Sequence, residues 1–131
     1  MNASNNPEKK ASGDLAIRML AMPSDANVNG DIFGGWVISH MDLAGLSIAR
    51  KHAKCRVTTV AIDKMVFVAP VHVGDFICCY GELLKVGRTS MTIRIQTFAN
   101  DELGACHRLV TEGIFTYVAI NEKGRPIPVV R

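Results

Sequence analysis

The sequence predicts an α+β fold, an antiparallel β-sheet wrapped around one long central helix, and three observations carry that prediction. The stretch from Gly35 to Lys51 runs without proline and with a single internal glycine, Gly45. At ~1.5 Å per residue it makes a helix of roughly 25 Å, long enough to cross a small domain. One strand-like segment precedes it, and segments rich in β-branched residues, punctuated by glycine, proline and polar turn residues, follow it. A doubly wound α/β protein alternates strands and helices, so a strand, a helix and then a run of strands excludes that class.

In order, Met1 to Ser12 is polar and is expected to be a disordered tail, leaving residues 13–131 as a single domain. Asp14 to Met22 alternates as a first strand, which Pro23 ends. Ser24 to Gly30 is a loop of Asn and Asp side chains that bond their own backbone. Gly34 and Gly35 then open the helix. Spacing residues every ~100° puts Val37, Ile38, Met41, Ala44, Ile48 and Ala49 on one apolar face, with Ser39, His40, Ser47, Arg50, Lys51, Trp36 and Leu43 opposite. Arg56 to Ala69 reads as a long strand bent near Asp63-Lys64 and terminated by Pro70, and Gly74-Asp75 marks a turn. Phe76 to Val86 and Thr89 to Ala99 are strands joined by a short hairpin at Gly87-Arg88. Asn100 to Gly104 is a polar loop, Ala105 to Ile120 a last strand, and Asn121 to Pro128 a turn and tail. Such a sheet leaves an edge strand and a helix flank uncovered, and pairing two protomers covers both, so at least a dimer is expected.

Composition narrows the function. With 131 residues, 48% of them hydrophobic, the chain holds one real core and is too short for two full enzyme domains. The formal charge of +3 is mild and the basic residues are scattered, which argues against a nucleic-acid surface but leaves room for a small phosphorylated ligand. Cys55, Cys78, Cys79 and Cys106 lack paired C-x-x-C spacing, so they read as reduced thiols rather than a zinc or redox site, and no metal is expected. The N-terminus has no apolar signal region and no segment approaches the ~18 to 20 apolar residues of a membrane span, so a cytoplasmic location is expected. G-x-S-x-G, H-E-x-x-H and a glycine-rich P-loop are all absent, and a serine-hydrolase reading loses most of its support.

One helix residue breaks the amphipathic pattern. Asp42 lies beside Ile38, Leu46 and Ala49 at the edge of the apolar sector, where an ionised group is costly unless partnered. A structural carboxylate bonded to nearby backbone or to Arg50 explains the placement as well as a reactive one does. Upstream, Gly34 and Gly35 expose the first-turn N–H groups, which suit developing negative charge, although an ordinary strand-to-helix turn uses the same residues.

The stretch Met22-Pro23-Ser24-Asp25-Ala26-Asn27-Val28-Asn29-Gly30-Asp31-Ile32-Phe33-Gly34-Gly35-Trp36, followed by Met41-Asp42 and Ala44-Gly45, resembles the hot-dog-fold acyl-CoA thioesterases. The resemblance is to the short bacterial YciA type, related to acyl-CoA thioesterases with tandem hot-dog domains. Val57-Thr58-Thr59-Val60, the Phe67 to Pro70 strand end, Val73-Gly74-Asp75, Lys85-Val86-Gly87-Arg88 and Phe115-Thr116-Tyr117-Val118 continue it in order, over about residues 13 to 129.

That resemblance implies hydrolysis of fatty acyl-CoA to free acid and coenzyme A. Asp42 matches the family's catalytic acidic residue, as general base or nucleophile, and Asn27 its catalytic asparagine, supplied from the partner protomer. The amides around Gly34 and Gly35 would polarise the carbonyl. Arg88 and Ser90, and less directly Lys64, would meet coenzyme A, although an exposed basic turn reads the same way. His40, His52 and His72 read as structural or solvent-facing, and Phe33 and Trp36 as packing. No cofactor is implied, since coenzyme A is part of substrate and product, and relatives form a trimer of dimers, hence a hexamer. A thiolate leaves without a strong general acid, which explains how little machinery is needed. The rival readings are a non-catalytic acyl-CoA sensor and a hot-dog hydratase or dehydratase, the latter expected to use a histidine with no counterpart here.

Overall fold

The computed structural model describes residues 13–100 and 108–129. The tail expected at residues 1–12, most of the polar loop after Asn100, the first residues of the last predicted strand and Cys106 lie outside the described residues. The elements are β1 (Asp14–Leu20), α1 (Gly34–Ala53), β2 (Val57–Phe67), β3 (Phe76–Val86), β4 (Ser90–Asn100) and β5 (Arg108–Ala119), with one 3-10 turn at Pro23–Asp25. The sheet order is β1-β3-β4-β5-β2, antiparallel throughout. The two strands that flank α1 in sequence thus occupy opposite edges. The helix crosses the inner face and touches every strand.

Small residues set how closely α1 sits on the sheet. Val37, Met41, Ala44, Gly45, Ala49 and Ala53 are buried, while Ile38 and Ile48 from the expected apolar face are only half-buried. Beneath them lie Ile77, Met91, Ile93, Ile95, Phe115 and Tyr117. Fully buried Met41 contributes on the order of 2 kcal/mol. The helix ends where Lys54 turns left-handed (φ 58°) and its N–H bonds Arg50 O at 2.7 Å. Arg50, Lys51 and His52 in the last turn suit the negative end of the helix dipole.

The expected bend in β2 is present. Register shifts between Asp63 and Val66, where Lys64 adopts φ 55°, and Met65 folds inward. Gly113 on β5 makes room for it, since a Cβ there would stand 2.8 Å from Met65 Cε. Two expectations need correction. Asn100 closes β4 rather than opening a loop, because it pairs with Phe76 and is buried. Phe33, expected to pack, is only half covered within the protomer: it is 52% exposed at the helix N-cap, held through its backbone N–H to Asp25 O. Among the described residues no helix is long and apolar enough to cross a membrane.

Candidate active site

Asp42 sits midway along α1, half-buried over the β2–β5 pair. Thr59 and Tyr117 are directly opposed across those strands, so both side chains rise from one face toward the helix. Thr59 Oγ1 donates to Asp42 Oδ1 at 2.7 Å, and Tyr117 OH reaches the same Oδ1 at 3.0 Å and the Asp42 backbone carbonyl at 2.8 Å. Oδ2 has no partner among the described residues. Burial first, and then the Asp42 charge and hydrogen bond, push the Tyr117 phenol far above its ordinary range, so it stays a proton donor. Asp42 is thus partnered by hydroxyls, and no ion pair with Arg50 forms among the described residues. Gly45, the helix's internal glycine, admits the phenol: a Cβ there would stand 2.7 Å from Tyr117 Cζ.

The helix start is built differently. Phe33 offers no side-chain cap, and the first turn contains no acidic residue. Phe33 O accepts from Trp36 and Val37, while the N–H groups of Gly34 and Gly35 have no partner among the described residues. A Cβ on Gly35 would meet nothing within 4 Å, and one on Gly34 would make only ordinary contact with Phe67 at 3.5 Å. The packing of this chain therefore does not demand glycine at either position. Ahead of it, Asn27 Oδ1 accepts from Asn29 N (2.8 Å) and Asp31 N (3.2 Å). Those two bonds fix the amide's orientation and leave Nδ2 as a free donor at the loop surface.

Within one protomer these groups do not converge. Gly34 and Asp42 are eight residues apart, ~12 Å along the helix, and no bond links Asn27 to Asp42. The proposed coenzyme A residues are likewise divided. Arg88 is exposed in the β3–β4 turn, with its carbonyl accepting from Val129 N at 2.8 Å, and Ser90 O accepts from Gly87 N at 2.8 Å. Lys64 sits on the β2 bulge beside Asp63, whose partner Ile114 is four residues along β5 from Val118, the partner of Ser90. Lys64 and Ser90 are thus ~13 Å apart along the strands, with the width of β5 between them as well. An apolar cavity of about 360 Å³ lies beside the helix start, lined by Ile32, Gly34, Val37, Phe67, Val68 and Val110 among others.

Sequence reasoning did not assign roles to Thr59 and Tyr117. Both lie in motifs it recognised, but their meeting at Asp42 depends on strand register.

One long helix wrapped by an antiparallel sheet defines the hot-dog class, here with a half-buried carboxylate at the helix midpoint and bare amides at its start. The Thioesterase superfamily profile matches residues 29–106. The chain is 45% identical over 118 residues to the acyl-CoA thioester hydrolase YciA of Escherichia coli (strain K12), covering 87% of this chain and 89% of the relative. The hexameric thioesterase of Yersinia pestis superposes with a TM-score of 0.89 at 43% identity, over 93% of this chain and 100% of that one. A solved hexameric, broad-specificity acyl-coenzyme A thioesterase gives a TM-score of 0.88 at 44% identity, over 94% and 85%. The chain belongs to the thioesterase superfamily, and within it to the YciA-type acyl-CoA thioester hydrolases.

Proposed function

We propose that this chain hydrolyses fatty acyl-CoA thioesters to the free acid and coenzyme A, with Asp42 as the reacting carboxylate and Asn27 reaching it from the partner protomer. The observation that carries the reading is the Asp42 carboxylate, tied at Oδ1 by two hydroxyls and free at Oδ2. Oδ2 either takes a proton from water as that water attacks the thioester carbon, or attacks the carbon itself to form a mixed anhydride that water then opens. The C–S bond breaks and the thiolate leaves. The Gly34 and Gly35 amides of the partner stabilise the oxyanion, and Asn27 Nδ2 orients the water or carbonyl. The apolar cavity beside Gly34 offers the acyl chain a seat.

The composite site rests on geometry and resemblance together. Thr59 lies on β2, a sheet edge, so the Asp42 side of the site faces the surface where a second copy would pair. The solved relatives are hexamers, and a trimer of dimers is the assembly proposed here. Arg88 and Ser90 are proposed to contact coenzyme A, with Lys64 joining them from a different protomer. The cytoplasm is the proposed compartment, where thiols such as Cys55, Cys78 and Cys79 stay reduced.

Purified protein incubated with acyl-CoA and a thiol-reactive dye tests the reading across chain lengths. Release of free thiol is expected. An altered acyl chain without thiol release would instead identify a hydratase, and binding alone a sensor. Single turnover in ¹⁸O-water tests for the nucleophile: water activated by a general base puts one ¹⁸O into every product acid, whereas an anhydride opened at the Asp42 carbonyl gives a first product with no ¹⁸O and leaves the label on Asp42.

A further inference from the structure

Tyr117 is wholly buried, and its ring packs under α1, stacked 6.4 Å from Phe115 at an interplanar angle of 12°. A buried phenol needs a hydrogen-bond acceptor, and a helix carbonyl alone satisfies that need. Here the hydroxyl does more. Its single proton lies between the carbonyl (2.8 Å) and the carboxylate Oδ1 (3.0 Å) of the same residue, a three-centre arrangement spanning backbone and side chain of Asp42. Thr59 alone leaves the carboxylate free to swing about one bond. A second bond, arriving from a neighbouring strand and referenced to the Asp42 backbone, fixes the rotamer and with it the direction of Oδ2.

This arrangement costs the helix a side chain. Any residue larger than glycine at position 45 drives a Cβ into the phenol, with Cζ at 2.7 Å and Cε1 at 2.8 Å, and these are atoms of a rigid buried ring. Glycine inside a helix is unfavourable by roughly 1 kcal/mol relative to alanine, so its place beneath Asp42 calls for a compensating contact.

We infer that Tyr117 is a positioning residue for thioester hydrolysis, that Gly45 is the residue that admits it, and that together they aim Asp42 Oδ2 at the substrate. The inference rests on Asp42 being the reacting carboxylate. Among the described residues, the groups bonded to the Asp42 side chain are Thr59 from β2 and Tyr117 from β5; α1 itself brings no charged partner to it.

The test is Tyr117→Phe, which keeps the ring and its packing and removes only the hydroxyl. Expected are a fall in kcat of about tenfold and a KM for acyl-CoA within about twofold of the original. Gly45→Ala should lower kcat the same way, and adding Tyr117→Phe to it should lower it little further. An unchanged kcat in Tyr117→Phe, or additive losses in the double variant, overturns the inference, since the hydroxyl then serves only the carbonyl. Asp42→Asn, measured beside it, separates the two levels: near-normal turnover in Asp42→Asn defeats the assignment of Asp42 itself.

Discussion

At the middle of α1, Asp42 is gripped by hydroxyls from two opposed strands with Tyr117 buried beneath it, whereas at the start of the same helix Gly34 and Gly35 present bare amides over which nothing in the described chain closes. The carboxylate half is specified by side chains, register and close packing. The amide half is specified by backbone, in a loop whose Asn27 spends its oxygen on holding the turn and leaves Nδ2 unbonded among the described residues. The first half is complete in one protomer, and in the proposed composite site the second serves a neighbour. With ~12 Å of helix between them, the proposed site needs a two-fold pairing that sets the start of one helix against the middle of the other.

The comparison is broken most severely at Asp42. Asp42→Ala is expected to lower thioester hydrolysis by at least about a thousandfold. Folding should survive, because Tyr117 keeps the backbone carbonyl at position 42, and the midpoint of thermal unfolding should stay or rise as a costly charge is removed. Near-normal turnover rejects the mechanism, and a chain that cannot fold favours a structural Asp42.

Complementation tests the division itself. Asn27→Asp keeps the oxygen that holds the loop and removes the outward N–H, so it isolates the donor without breaking the turn. Alone, it and Asp42→Ala should each be nearly inactive. Unfolded and refolded together, about half the dimers are mixed and one of their two cavities is intact, so activity should recover to roughly a quarter of the original. A dead mixture, with subunit exchange shown independently, means that Asn27 and Asp42 do not meet across the interface.

Smaller effects sharpen the picture within the carboxylate half. Thr59→Ala should lower kcat by roughly ten- to a hundredfold, the loss of a hydrogen bond to a charged group, and Thr59→Ser should restore most of it. Equal defects in both variants would point to packing of the threonine methyl instead. The smallest effect is expected at the periphery: Arg88→Ala should raise KM for acyl-CoA several-fold with little change in kcat, since a remote phosphate contact binds substrate and transition state alike. An acyl-pantetheine lacking the nucleotide should be unaffected, and equal loss with both substrates excludes a nucleotide contact.

Much of this was legible before any coordinates. The order of elements gave the fold class, β3 falls on its expected bounds, and the bend near Lys64 is where turn chemistry placed it, because these signals are local. Asp42 was visible as a charge in the wrong sector of a helical wheel. Its partners were not, because Thr59 is 17 residues away and Tyr117 75, and which face each strand residue presents depends on the shifted β2–β5 register. Gly45 was visible only as an exception; its meaning needed Tyr117 above the sheet. Phe33 misled because an aromatic beside a helix usually packs, and this one faces outward at the N-cap.

The left-handed Lys64 has a consequence for what the folded chain does before it meets its own kind. β2 is an open edge carrying Val60, Ile62 and Val66 at 41–59% exposure, the profile of a strand that recruits any other strand and then another behind it. The bulge interrupts that edge and places an exposed, charged lysine at the break. A foreign strand meets one register shift between Thr59 and Ala61 and another between Asp63 and Val66, so longer or slipped pairings stall. At the high concentrations of newly made protein, the kink thus acts as a stop against open-ended polymerisation, leaving a closed pair as the productive way to satisfy the edge.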